Sequence, residues 1–175
     1  MSIDTTRPLV PVQLAVITVS DTRTLETDTS GQALVDRATA AGHRVVSREI
    51  VIDDVGRLEV ALTRLIDDPA VDVVLATGGT GLTGRDVTPE AFARVCEKEI
   101  PGFGELFRWL SYQSIGASTM QSRATAGVAR GTYLFAIPGS TGACRDAWDH
   151  ILASQLDSRT RPCNLVELMP RLRER

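Results

Sequence analysis

Short apolar runs and longer amphipathic stretches alternate along this chain. The run Gln13–Val19 is β-branched and nearly unbroken by polar residues, the pattern of a central strand covered on both faces. Polar, threonine-rich residues follow. Thr29 or Ser30 then suits the cap of a helix that runs through residue 41 and stops at Gly42, a usual C′ glycine. A second strand is predicted over 43–52. Leu58, Ala61, Leu62, Leu65 and Ile66 next fall at i, i+3, i+4, i+7 and i+8, which makes one helix face apolar; this helix begins after an Asp53-Asp54 cap and ends before Pro69.

A third strand, 71–76, opens into the glycine-rich stretch Thr77-Gly78-Gly79-Thr80-Gly81-Leu82-Thr83-Gly84-Arg85-Asp86. After it, Thr88, Pro89 and Glu90 suit the N-cap, first position and first turn of a helix reaching residue 99. Pro101-Gly102-Phe103-Gly104 is expected to interrupt, with a short helix over 105–112, and 113–130 resists assignment. A last strand, Thr132–Ile137, breaks at Pro138-Gly139-Ser140 and gives way to a helix over 143–156. Strands alternating with helices call for right-handed crossovers. The expected fold is therefore a three-layer α/β domain, a mostly parallel sheet with helices on both faces. It is placed at 12–165, between a flexible N-terminus (1–11) and a C-terminal tail (166–175).

Composition narrows the function. A chain of 175 residues, 43% hydrophobic, holds one substantial core. Net charge is −3, with no basic run interleaved with aromatics, which disfavours nucleic acid. The first residues carry an early acid and no apolar core of a signal, and no stretch has the length to span a bilayer, so a cytoplasmic protein is expected. Cys96, Cys144 and Cys163 are too far apart, with only His43 and His150 beside them, to make a zinc site; they read as reduced thiols.

The chemistry concentrates in the loops that leave the carboxyl ends of the strands, where ligands gather in such sheets. Four glycines let the backbone turn tightly and bring N–H groups to an anion. The literal G-x-G-x-x-G from Gly79 to Gly84 fails as a dinucleotide fingerprint, because Pro89 would fall inside the helix that must begin among the glycines. It fails as a P-loop because Arg85-Asp86 replaces the lysine and hydroxyl. The remaining reading is a phosphate site that carries its own carboxylate. Ser20-Asp21, Thr29-Ser30, Asp53, the amides of Gly78, Gly79, Thr80 and Gly81, and Pro138-Gly139-Ser140 converge on it, with Arg85 as a further phosphate donor. Asp53 and Asp86 suit a magnesium ion that keeps most of its waters and bridges a nucleotide phosphate. In-line positioning plus charge cancellation is most of what nucleotidyl transfer asks of a protein.

The stretch from Thr77 through Arg85-Asp86-Val87-Thr88-Pro89-Glu90-Ala91 resembles the signature of the molybdenum cofactor biosynthesis family containing the MoaB and MogA proteins. Val19-Ser20-Asp21-Thr22-Arg23, Asp28-Thr29-Ser30-Gly31, Pro101-Gly102-Phe103-Gly104, Gln121-Ser122-Arg123-Ala124, Pro138-Gly139-Ser140-Thr141 and Leu156-Asp157-Ser158-Arg159-Thr160-Arg161-Pro162-Cys163-Asn164 resemble its MoaB branch. The resemblance implies a molybdopterin-binding domain that assembles as a homotrimer or homohexamer. It also implies adenylyl transfer from magnesium-bound ATP to the terminal phosphate of molybdopterin, releasing pyrophosphate. Asp53 and Asp86 take the catalytic and metal positions; Ser122 and Arg123 join the nucleotide contacts. Hand-over of the product to a molybdenum-inserting protein is a further implied step. The alternative is a non-catalytic molybdopterin-binding or scaffold paralogue in the same pathway.

Overall fold

A computed structural model describes residues 2–174; Met1 and Arg175, the ends of the expected N-terminal and C-terminal segments, lie outside the described residues. In chain order the strands are β1 (Ser2–Ile3), β2 (Gln13–Val19), β3 (Arg44–Val51), β4 (Val73–Thr77), β5 (Lys98–Glu99), β6 (Thr125–Ala129), β7 (Thr132–Ile137) and β8 (Thr160–Arg161). The main helices are α1 (Thr29–Ala40), α2 (Val55–Asp67), α3 (Thr88–Val95), α4 (Pro101–Ile115) and α5 (Thr141–Ala147).

A mixed sheet in the order β3-β2-β4-β7-β6-β5 forms the middle layer. β3, β2, β4 and β7 are parallel, and β6 runs antiparallel to β7. Alternation along each parallel strand divides the core in two. Leu14 and Val16, Val73 and Leu75, and Tyr133, Phe135 and Ile137 pack under α1, α4 and α5. Ala15 and Ile17, Val74 and Ala76, and Leu134 and Ala136 face α2 and α3. Because both faces are covered, these strands carry unbroken apolar runs rather than an in-out pattern. The predicted three-layer, mostly parallel α/β architecture is the one observed.

Pairing of Val19 with Val51, Thr18 with Thr77 and Thr77 with Ile137 aligns the strand ends. The loops after β2, β3, β4 and β7 therefore leave one edge together. β2 leads to neighbours on both sides, so the chain reverses direction across the sheet there and opens a crevice at the carboxyl ends of β2 and β4.

Several local expectations are corrected. The α1 cap is Asp28, whose Oδ1 accepts from the Gly31 amide at 2.8 Å, in place of Thr29 or Ser30. Asp54 alone caps α2, accepting from the Arg57 amide at 2.9 Å. Thr88 is the first residue of α3 rather than its cap, and its hydroxyl donates instead to the Gly78 carbonyl at 2.7 Å. The helix after it ends at Val95, because Glu97 and Ile100 donate to the Val128 and Ala126 carbonyls, each at 2.8 Å, and draw the chain into edge strand β5.

Pro101-Gly102-Phe103-Gly104 starts α4 rather than breaking a helix. Proline at the first turn loses no hydrogen bond. Gly104 lets the helix approach the chain leading into β6, since a Cβ there would lie 2.3 Å from the Ala124 carbonyl oxygen. The unassigned 113–130 holds the end of α4, a 3₁₀ stretch Gly116–Gln121 and β6. Arg130 (φ 49°) and Gly131 (φ 93°) make the two-residue turn of a β6–β7 hairpin, and an arginine at the first left-handed position hid that signal. α5 begins at Thr141, capped by Ser140, and continues through the wide turn Trp148–Leu152 into Ala153–Gln155.

Within the stretch expected to be flexible, β1 pairs antiparallel with β8, Val10 donates to the Ser158 hydroxyl at 2.9 Å and Arg7 pairs with Glu167 at 2.6 Å. The expected tail includes the 3₁₀ stretch Val166–Arg171. Among the described residues no helix is long and apolar enough to cross a membrane.

Candidate functional site

The glycine loop is shaped from two sides. Gly78 has φ 104°, and a Cβ there would come 2.3 Å from the Val19 carbonyl oxygen, so only glycine lets β4 leave the sheet so close to β2. Gly79, at φ 63°, accepts from the Thr88 amide at 2.9 Å, which ties the loop to the start of α3. From the other side Arg123 reaches in: its Nε donates to the Gly81 carbonyl at 2.7 Å, its Nη2 to the Asp86 carbonyl at 2.8 Å, and its Nη1 pairs with Glu90. Its own amide donates to the Thr80 carbonyl at 2.9 Å. The carbonyls of Gly78, Gly79, Thr80 and Gly81 are all engaged by Thr88 or Arg123, and the Gly79 and Thr80 amides find no acceptor among the described residues.

The resulting cavity, about 480 Å³, is lined by Ser20, Asp53, Gly78, Gly79, Thr80, Gly81, Arg85, Asp86, Ser122, Pro138 and Gly139, together with Val19 and Gln121. An adjoining hollow of about 370 Å³ shares Ser122 and Pro138 and is walled by Phe107, Ile115 and Ala143 with the hydroxyls of Ser111 and Ser118.

Two acids face this cavity from different segments, and their environments differ. Burial first, then the charges of Asp21 and Asp86, push the Asp53 carboxyl above its ordinary value, while Arg85 and the Asp21 amide pull against the shift. Burial also opposes charge on Asp86, but the Thr83 hydroxyl and amide, at 2.6 and 2.8 Å, together with the Gly81 amide, outweigh it and hold that carboxyl below its ordinary value. Two carboxylates, one raised partly by the other, beside unpaired amides, make a donor set that a divalent cation would relieve. Among the described residues no group of three or more His, Cys, Asp or Glu gathers as a metal cage. A hard cation held by this pair would thus take most of its ligands from water and phosphate, as magnesium does.

The remaining residues singled out in the sequence lie around the cavity without lining it. Asp21 accepts from the Asp53 amide at 3.1 Å and pairs with Arg85. Ser30 donates to the Gly139 carbonyl at 2.8 Å, Thr29 shares a hydrogen bond with Thr141 at 2.9 Å, and the Ser140 side chain caps α5 by accepting from the Ala143 amide at 3.1 Å. These three hydroxyls brace the Pro138-Gly139 turn against the neighbouring helix starts. Arg123 clamps the glycine loop from behind. Asp28, nearly fully buried, accepts from Thr18, Gly31 and Arg48 and is a structural acid.

Sequence reasoning missed Gln121 and Val19 as lining residues. Val19 is the last residue of β2, and Gln121 closes a 3₁₀ stretch that no periodicity announced. The three cysteines are free, and burial pushes the Cys96 and Cys144 thiols up to about 11, so neither ionises near neutral pH.

A doubly covered parallel sheet with an anion-binding glycine loop and two facing acids at its carboxyl edge defines an α/β domain of the molybdopterin-binding class, and residues 15–158 match the family described as "Probable molybdopterin binding domain". The chain belongs to that family. It is 52% identical over 155 residues to molybdenum cofactor biosynthesis protein B of Escherichia coli (strain K12), covering 89% of this chain and 91% of the relative. A crystal structure of a molybdenum cofactor biosynthesis protein B superposes with a TM-score of 0.86 at 42% identity, covering 97% of this chain and 100% of the other. The tungsten cofactor synthesizing protein MoaB from Pyrococcus furiosus superposes with a TM-score of 0.77 at 32% identity, covering 94% of this chain and 98% of that one.

Proposed function

We propose that this protein acts in molybdenum cofactor biosynthesis as a molybdopterin adenylyltransferase. The observation that carries the proposal is the pairing of Asp53 and Asp86 across one cavity whose floor is the glycine loop. The 52% identity to a protein named for this pathway adds support. In the proposed reaction an oxygen of the terminal phosphate of molybdopterin forms a bond to the α-phosphorus of ATP. The bond from that phosphorus to the pyrophosphate oxygen breaks, and its electron pair leaves with pyrophosphate.

The chain's contribution is placement and charge. The Gly79 and Thr80 amides bind phosphate oxygens, and Arg85, at the cavity wall, adds guanidinium donors. Asp53 and Asp86 would hold a magnesium ion, which when bound supplies positive charge to the phosphate oxygens as charge develops. The adjoining hollow gives the second substrate room beside the first, so both are held for in-line attack. A cytoplasmic homotrimer or homohexamer that passes its product to a molybdenum-inserting protein belongs to the same proposal. The exposed apolar side chains Trp109, Tyr112 and Ile115 on α4 support an interface between copies.

A single-turnover assay with purified molybdopterin, ATP and magnesium tests the reading; pyrophosphate should appear only when all three are present. Binding of molybdopterin without magnesium-dependent binding of ATP would replace it with the non-catalytic alternative.

A further inference from the structure

The cavity is anionic before any phosphate enters. Asp53 and Asp86 line it, Asp21 accepts from the Asp53 amide, and Arg85 is the only cationic side chain among the described lining residues. Arg123 does not line the cavity: Glu90 pairs with it, and its Nε and Nη2 donate to the Gly81 and Asp86 carbonyls. A polyphosphate therefore depends on Arg85, and Arg85 is already engaged: its Nε at 3.1 Å and its Nη2 both donate to Oδ2 of Asp21. The other Asp21 oxygen accepts from the Asp53 amide at 3.1 Å. One carboxylate thus joins the loop after β2 to the turn after β3 and to the glycine loop.

The strength of that contact decides what it can do. The side chains of Arg85 and Asp21 are 65% and 40% exposed, and ion pairs this open to water are weak. Charge-assisted contacts from an arginine to phosphate in a partly enclosed site are stronger. We propose that Asp21 and Arg85 form an exchange latch: Arg85 leaves Asp21 for the entering polyphosphate and returns to it when the polyphosphate departs. Asp21 is then a positioning residue that competes with the ligand for Arg85 and limits how tightly the ligand is held. This rests on the adenylyltransferase reading, since it takes ATP as the polyphosphate.

Calorimetric titration of the full chain with a non-hydrolysable ATP analogue and magnesium tests the latch. Arg85→Ala should weaken binding about ten-fold, the loss of one charge-assisted contact, and Arg85→Lys should recover part of it. Asp21→Asn keeps an oxygen for the Asp53 amide but frees Arg85, and should tighten binding about three-fold, on the scale of an exposed pair. In the Asp21→Asn/Arg85→Ala double variant the tightening should vanish. Tightening that survives without Arg85 would mean that Asp21 acts only by repelling the ligand, and would overturn the latch. So would Arg85→Ala binding as wild type does. Both outcomes leave the adenylyltransferase reading standing, whereas failure of the wild-type protein to bind the analogue would remove both.

Discussion

At the amino end of the parallel strands, polar side chains close on one another. Asp157 pairs with Arg159 at 2.8 Å, and Glu167 with Arg7 and Arg161 at 2.6 and 2.8 Å. Buried Asn164 donates to the Ser158 and Thr160 carbonyls, at 3.3 and 3.1 Å, and accepts from the Glu167 amide at 3.0 Å. At the carboxyl end the same residue types are left facing a cavity. Asp53 is raised by burial and by its acidic neighbours, and two glycine-loop amides have no acceptor among the described residues. Both ends carry long, specific sequence signatures. What separates them is whether the polar groups are satisfied within the fold or held ready for something else, which is how a binding site differs from a structural knot.

Exchanging single groups at each end tests this contrast. The largest effect is expected from Asp53→Asn, which should lower magnesium-dependent pyrophosphate release at least about a hundredfold. Its unfolding free energy in urea should stay within about 0.5 kcal/mol of wild type, because the asparagine oxygen can still accept from the Asp21 amide and the charge removed is one that burial and the neighbouring acids disfavour. If it unfolded as readily as a variant of the amino-end knot, the contrast would collapse. Gly78→Ala comes next. A Cβ 2.3 Å from the Val19 carbonyl oxygen at φ 104° should cost about 3 kcal/mol of stability, seen as a lower urea midpoint. Asn164→Ala, at the other end, leaves two carbonyls and an amide without their partner and should cost about 2 kcal/mol, with ATP affinity per folded molecule unchanged. Gly84→Ala should be the mildest, since its Cβ would meet nothing within 4 Å and its φ is ordinary. A shift within about 0.5 kcal/mol is expected, and a larger one would show that the outer part of the loop is as constrained as its root.

Much of the layout was legible because it depends on neighbours in sequence. The runs at Gln13–Val19 and Thr132–Ile137 and the apolar face from Leu58 to Ile66 gave their elements directly, because burial on two faces or one leaves a local period. Small residues misled the reading. Gly102 and Gly104 looked like breakers where they begin α4, and Thr125–Ala129 resisted assignment because its alanines and glycine carry little strand preference.

The site was legible at coarser grain. Glycines, two acids and a helix start announced an anion site, but nothing local distinguished Asp28, an acid enclosed by Thr18, Gly31 and Arg48, from Asp53, an acid facing open space. Nor could spacing show that Ser30 braces Gly139, or that Arg123 grips the loop at Gly81 and Asp86 from a turn that no periodicity predicted.

Local pattern along the chain sets the alternation of strands and helices, and with it the edge from which the loops at Ser20, Asp53, Gly78 and Pro138 emerge, because helix and strand periods and crossover handedness are short-range constraints. Which of those polar groups cap, clamp or brace, and which remain turned to the cavity, is settled by long-range packing. Arg85 meets Asp21 across 64 positions and Ser30 meets Gly139 across 109, and a partner so distant along the chain is fixed by packing rather than by any local pattern.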